Sequence, residues 1–166
     1  MKKILVICVI CIFALQQNSV AQDYKTGFGV RAGGYQNAIS IKHFFRPSVA
    51  VEGLIGNGYF RRGVSLTILI EKSVTAFDRE EFQFFYGAGA HIGSYRGDYF
   101  YRDYYKKKYR YYNDGFVALG LDGIIGLEWK IPEIPLSLGV DIKPTIELAQ
   151  PGLSIIDPGF TIRFTL

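Results

Sequence analysis

The sequence predicts an all-β chain: eight antiparallel strands in up-and-down order, closed into a barrel that crosses a membrane. Three observations predict it. They are one long two-faced stretch, a short apolar leader ahead of a cysteine-free chain, and eight alternating segments with unequal connections. The stretch is Phe116 to Trp129, FVALGLDGIIGLEW. Val117, Leu119, Leu121, Ile125, Leu127 and Trp129 share one parity, with Gly123 the only gap. Phe116, Ala118, Gly120, Asp122, Ile124, Gly126 and Glu128 share the other. Strict alternation is the period of a strand whose two faces meet different surroundings. A globular strand usually has about five or six residues, and this one is more than twice that length. At roughly 3.3 Å per residue it covers about 40 Å or more, enough for a tilted strand to cross a bilayer and project beyond it. The second face decides the reading. A soluble sheet would show bulky Lys, Glu, Arg and Thr there, whereas Gly and Ala suit a narrow lumen. The apolar face then points outward, with Trp129 in an interfacial aromatic girdle.

The leader sets the compartment. Met1-Lys2-Lys3 is a basic start, Ile4–Leu15 is unbroken apolar sequence, and Ser19-Val20-Ala21 is a small-x-small cleavage site. The apolar run is shorter than the ~18 residues of a spanning helix, so residues 1–21 read as a secretory signal peptide cut near Ala21. A retained N-terminal anchor is the alternative. Residues 22–166 form one domain, of single-domain length. Cys8 and Cys11 both lie in the leader, so the remaining chain has no thiol for a disulfide, a metal site or a nucleophile. Loss of Lys2 and Lys3 takes the formal charge from +4 to +2, which argues no global affinity for nucleic acid. A hydrophobic fraction of 49% without one long apolar segment fits membrane burial spread over alternating strands.

Eight alternating segments follow, separated by turn-rich punctuation. Gly27–Gly34 sets Phe28, Val30 and Ala32 against Gly29, Arg31 and Gly33. Ala38–Phe45 sets Ile39, Ile41, His43 and Phe45 against Ser40 and Lys42, and Arg46-Pro47 turns the chain, since proline cannot continue a ladder. Ser48–Ile55 sets Val49, Val51, Gly53 and Ile55 against Ala50, Glu52 and Leu54. Arg62–Lys72 places Val64, Leu66, Ile68 and Ile70 outward, with Ser65, Thr67 and Glu71 inward. Ser73–Glu80 reads as a polar connection. In the fifth segment Phe82, Phe84, Tyr86, Ala88, Ala90 and Ile92 oppose Gln83, Phe85, Gly87, Gly89, His91 and Gly93. The sixth is Phe116–Trp129. Leu136–Glu147 sets Leu138, Val140 and Ile142 against Gly139, Asp141 and Lys143. Ser154–Leu166 alternates Phe160, Ile162, Phe164 and Leu166 with Thr161, Arg163 and Thr165.

An even strand count returns the chain to its starting side. With a periplasmic start the outer connections are Gly34–Asn37, Gly56–Phe60, Ser94–Gly115 and Ala149–Gly152. The inner ones are Arg46-Pro47, Ser73–Glu80 and Lys130–Pro135. The longest connection falls outside, as in outer-membrane barrels.

This whole-chain pattern resembles the small outer-membrane β-barrel domain family, which includes the eight-stranded OmpA-type transmembrane barrels. Signal peptide, strand count, loop order and the alternating last strand carry the resemblance. It implies residence in a bacterial outer membrane as a monomer, in contact with outer-membrane lipid and lipopolysaccharide. Members usually end in an aromatic residue, where this chain has Phe164-Thr165-Leu166.

Two sets of residues are candidates for function. Parity turns Arg31, Lys42, Lys143 and Arg163 inward together with Glu52, Glu71, Asp122, Glu128 and Asp141. Lone buried charges are costly, so they should pair into an ion network that plugs the lumen. A narrow channel or carrier for small solutes, lined by the same charges, is the alternative, and planar-bilayer conductance separates the two. The second set lies in Ser94–Gly115, SYRGDYFYRDYYKKKYRYYNDG, which holds eight of the 12 tyrosines. Arg96, Tyr99, Tyr101, Arg102, Tyr104, Tyr105, Lys106, Lys107, Lys108, Tyr109 and Arg110 suit an extended hairpin with its tip near Lys106–Lys108. Tyrosine supplies contact area at low entropy cost and arginine recognises phosphate and carboxylate. Such a hairpin would touch anionic lipopolysaccharide, a surface glycan or a protein partner. A solvated loop whose aromatics merely anchor at the interface is the plainer reading. His43 and His91 lie on separate segments, so no enzyme, metal site or cofactor is expected. A soluble lipocalin-like binder would turn its apolar side chains inward, and the small-residue face argues against it.

Overall fold

The structure, a computed structural model, describes residues 24–58, 62–96, 99–102, 109–112, 116–149 and 154–166. The expected leader, residues 1–21, and Lys106–Lys108 lie outside the described residues. Among the described residues ten strands run in chain order: β1 (Thr26–Gly33), β2 (Gln36–Arg46), β3 (Val49–Gly58), β4 (Arg62–Ala76), β5 (Arg79–Arg96), β6 (Tyr99–Arg102), β7 (Tyr109–Tyr112), β8 (Phe116–Ile131), β9 (Leu136–Glu147) and β10 (Ser154–Thr165). Eight of them close into an antiparallel barrel in the ring order β1-β10-β9-β8-β5-β4-β3-β2. Every barrel strand therefore pairs with its predecessor and successor, the up-and-down order that alternation predicts.

Closure joins the first and last of the described strands. β1 pairs with β10 from Gly27↔Thr165 to Gly33↔Gly159. Beyond the ladder, the Lys25 amide donates to the Leu166 carbonyl at 2.8 Å and the Leu166 amide donates to the Thr26 carbonyl at 2.8 Å. A closed ring leaves no barrel strand with an open edge.

The expected connection Ser73–Glu80 is mostly strand. β4 runs to Ala76, β5 starts at Arg79, and only Phe77 and Asp78 turn the chain. Its polarity misleads because the lumen face is itself polar: Ser73 and Gln83 are buried there, continuing the inward rows of β4 and β5. The expected outer loop Gly34–Asn37 likewise shrinks to Gly34 and Tyr35.

The alternation separates the barrel into two faces of opposite chemistry. Val30, Ile39, Ile55, Val64, Leu119, Ile142 and Ile162 are exposed outside, Val64 to 62%. Arg31, Lys42, Glu52, Glu71, Asp122, Glu128 and Arg163 are buried inside, with Lys42, Glu52 and Glu128 at 0%. This inverts the water-soluble arrangement, in which apolar side chains fill the interior.

Glycines make room for that interior. A β-carbon at Gly126 would lie 2.5 Å from the Phe85 ring, and one at Gly120 would lie 2.5 Å from the His91 ring. One at Gly159 would overlap the Arg31 guanidinium. The small-residue face is thus the floor on which large side chains of neighbouring strands lie.

Candidate functional site

The lumen charges gather in three groups. The group nearest the chain termini is built on β2, β3, β4, β8 and β10. Lys42 Nζ lies 2.9 Å from Glu71 Oε2 and 3.1 Å from Glu128 Oε2. Arg163 Nη2 donates to Glu52, its Nε donates to Ser40 Oγ at 2.9 Å, and its Nη1 lies 3.6 Å from Glu128 Oε1. Ser40 Oγ donates to Glu52 Oε1 at 2.5 Å, and Ser137 Oγ donates to Glu128 Oε1 at 2.6 Å. The Lys42 ammonium also sits 4.4 Å from the centre of the Phe85 ring, within cation–π range. Two cations here serve three carboxylates, so each cation is shared.

The second group lies further toward the β5–β8 loop. Lys143 Nζ is 3.0 Å from Asp122 Oδ1, which also accepts from Thr145 Oγ1 at 2.7 Å. His91 bridges two carboxylates, with Nδ1 2.7 Å from Asp122 Oδ2 and Nε2 3.0 Å from Glu147 Oε1. In the third group Arg31 donates from Nη2 to Asp141 Oδ1 at 2.6 Å and from Nη1 to Asp157 Oδ2 at 2.8 Å. The other Asp157 oxygen caps the Tyr35 amide at 2.8 Å, which ties the turn between β1 and β2 to the network.

Ring order shows what these bonds do. β2 and β8 stand four places apart in a ring of eight, so Lys42–Glu128 crosses the full width of the barrel. Arg163–Glu52 joins β10 to β3, three places apart. An eight-stranded barrel has an interior just wide enough for side chains, and here charged ones meet across it. All nine lumen residues singled out in the sequence lie buried and ion-paired.

Sequence reasoning missed four members. Asp157 shares the parity of Thr161 and Arg163, and extending the alternation back across Pro158 finds it. His91 is assigned to the inward row of β5 and weighed only for catalysis or metal binding, because alternation does not reveal its carboxylate partners. Glu147 is the last residue of β9, where alternation ends. Tyr24 precedes β1 and has no periodic signal, yet its hydroxyl donates to Glu128 Oε1 at 2.7 Å and its ring packs edge-on against Phe44.

The second candidate set has a backbone frame. β6 and β7 pair antiparallel from Tyr99↔Tyr112 to Arg102↔Tyr109. β5 and β8 pair from Phe82↔Trp129 to Tyr95↔Phe116. Both ladders obey one register, each step outward on one arm matched by one step back on the other. Tyr101 is thereby set opposite Arg110, and Arg102 opposite Tyr109. Arg96 is the last residue of β5 and pairs with Arg62 of β4. Tyr104, Tyr105, Lys106, Lys107 and Lys108 lie outside the described residues.

Comparison with known proteins finds no family model that matches this chain and no curated protein that matches it.

Proposed function

We propose that this chain is an integral barrel of a bacterial outer membrane, a small OmpA-type barrel, with a non-catalytic structural or surface-interaction role. One observation carries the reading: the charged residues face inward and pair, while the large apolar residues stand exposed around the outside. Burying that exterior in hydrocarbon removes the cost of showing it to water, and the closed ring leaves no backbone edge unpaired in lipid. The inward charges argue against a lipocalin-like binder, whose cavity would be apolar. The bonds that cross the lumen favour a plugged barrel over a channel.

Spin labels at Leu66 and Leu119 in protein folded into vesicles test the orientation. Both should collide with apolar oxygen far more often than with a water-soluble nickel complex. Preference for the nickel complex at both positions would sink the proposal.

The long outer connection supplies the interaction. Its shared register extends the β5–β8 hairpin, so tyrosine and arginine positions stand on paired strands rather than on slack chain. The partner is an anionic surface such as lipopolysaccharide, with a surface glycan or protein as the alternative. Replacing Lys106, Lys107 and Lys108 by glutamine should weaken retention on vesicles bearing anionic glycolipid. At about 1 kcal/mol per cation near such a surface, the loss is on the order of a hundredfold at low salt and shrinks as salt rises. Equal retention of variant and parent at low salt would remove the hairpin from this role.

A further inference from the structure

The turn between β4 and β5 combines two unfavourable features. Phe77 has φ 58 and Asp78 has φ 53, the left-handed pair required by a tight two-residue hairpin. Asparagine and glycine enter that conformation readily, whereas a bulky aromatic residue is strained in it. Phe77 is also 73% exposed, the highest among the large apolar residues of the described chain. Packing does not repay the strain. Its ring meets Phe82 edge-on at 5.9 Å and still leaves most of its surface free.

Phe82 in turn stacks on Trp129 at 6.0 Å with an interplanar angle of 11°. The three rings form a continuous aromatic line from the turn tip, through β5, to the outward row of β8. That row continues as Leu127, Ile125, Leu121 and Leu119. Charged residues flank the tip: Asp78, Arg79, Glu80 and Glu81, with Arg79 paired to Glu81 at 3.2 Å. One exposed ring set among charges, at the end of an apolar wall, matches the boundary between headgroups and acyl chains.

We propose that Phe77 is a membrane hook: the strained turn holds its ring in the interfacial layer of the inner leaflet and fixes how deep the barrel sits. This rests on the membrane reading given above. The line of rings makes the hook continuous with the lipid-facing wall, and the flanking charges keep the turn backbone in the headgroup layer.

The test uses tryptophan as a depth reporter in full-length protein folded into vesicles. In a Trp129→Phe background, Phe77→Trp places the reporter at the tip and Leu66→Trp places one on the wall. Vesicles carry lipids brominated either near the headgroup or deep in the chain. The Phe77→Trp reporter should be quenched most by shallow bromine and little by aqueous iodide. The Leu66→Trp reporter should be quenched by bromine and shielded from iodide. Iodide quenching at position 77 with bromine quenching at position 66 would overturn the hook alone. Iodide quenching at both positions would overturn the membrane reading itself.

A second measurement separates anchoring from a tolerated defect. Phe77→Asn relieves the turn, so the urea midpoint in detergent micelles should rise. Without the hook, the Trp129 quenching maximum in vesicles should shift relative to the parent. A raised midpoint with an unmoved maximum would mean that the ring does nothing at the membrane, and the proposal falls.

Discussion

Replacing Arg163 by methionine should lower the unfolding free energy of the barrel by about 3–5 kcal/mol, the cost of leaving buried charges uncompensated. Methionine fills much of the arginine volume and keeps the apolar stem, so the loss isolates the guanidinium. That group is the hub of the termini-side cluster. It donates to Glu52 and to Ser40 and lies 3.6 Å from Glu128. Glu52 is 0% exposed and also accepts from Ser40. Without Arg163 the cluster holds Lys42 against Glu52, Glu71 and Glu128. Glu52 is fully buried, so without Arg163 its charge stays uncompensated or takes up a proton. Both options cost free energy relative to the paired state. The measurement is urea unfolding of the micelle-folded protein at neutral pH, followed by Trp129 fluorescence. The double variant Arg163→Met with Glu52→Gln should recover a large part of the loss, because the two changes act on one contact and are not additive. A loss under about 1 kcal/mol, the level of an exposed ion pair, would mean that water screens the cluster.

How far the sequence goes depends on whether a feature is periodic. Strand count, meander order and the direction of each face follow from alternation, because period two records which side of a sheet a residue takes. Lys42, Glu52 and Glu128 were therefore legible as inward charges. Their partners were not. Alternation assigns a face and leaves rotation about the barrel axis open, so Lys42–Glu128 across the ring needs the closed geometry. Connections failed for a related reason. Polarity marks loops in soluble proteins, but in a barrel with a charged interior it also marks the lumen row, so Ser73, buried on the inward row of β4, reads as loop. Phe77 lies inside the stretch that polarity marks as a connection, but its left-handed φ becomes visible only in the backbone. Tyr24 lies before any alternation and enters the lumen where the segment ahead of β1 packs on Phe44.

The glycine floor yields the other large effect, and it is directional. A β-carbon at Gly89 would overlap the Ile68 carbonyl oxygen and lie 2.8 Å from the Leu69 Cα. Both atoms belong to the backbone of β4, which pairs with β5 in unbroken register from Arg62↔Arg96 to Thr75↔Gln83. No side chain can rotate away to relieve the clash, so the ladder itself must shift. Gly89→Ala should therefore cost about 1–3 kcal/mol, the range for overpacking an interior that cannot relax. Gly53 is the counter-case. It sits on the outward row of β3, and the nearest atom to an added β-carbon is the Ile41 carbonyl oxygen at 4.0 Å. Glycine in a strand interior is destabilising relative to alanine by roughly 0.5–1 kcal/mol, so Gly53→Ala should stabilise by about that amount. One methyl group thus has opposite signs on the two faces. Urea midpoints of the two variants, measured in the same detergent, read the difference directly. Midpoints shifted in the same direction would show that the small residues do not floor the lumen.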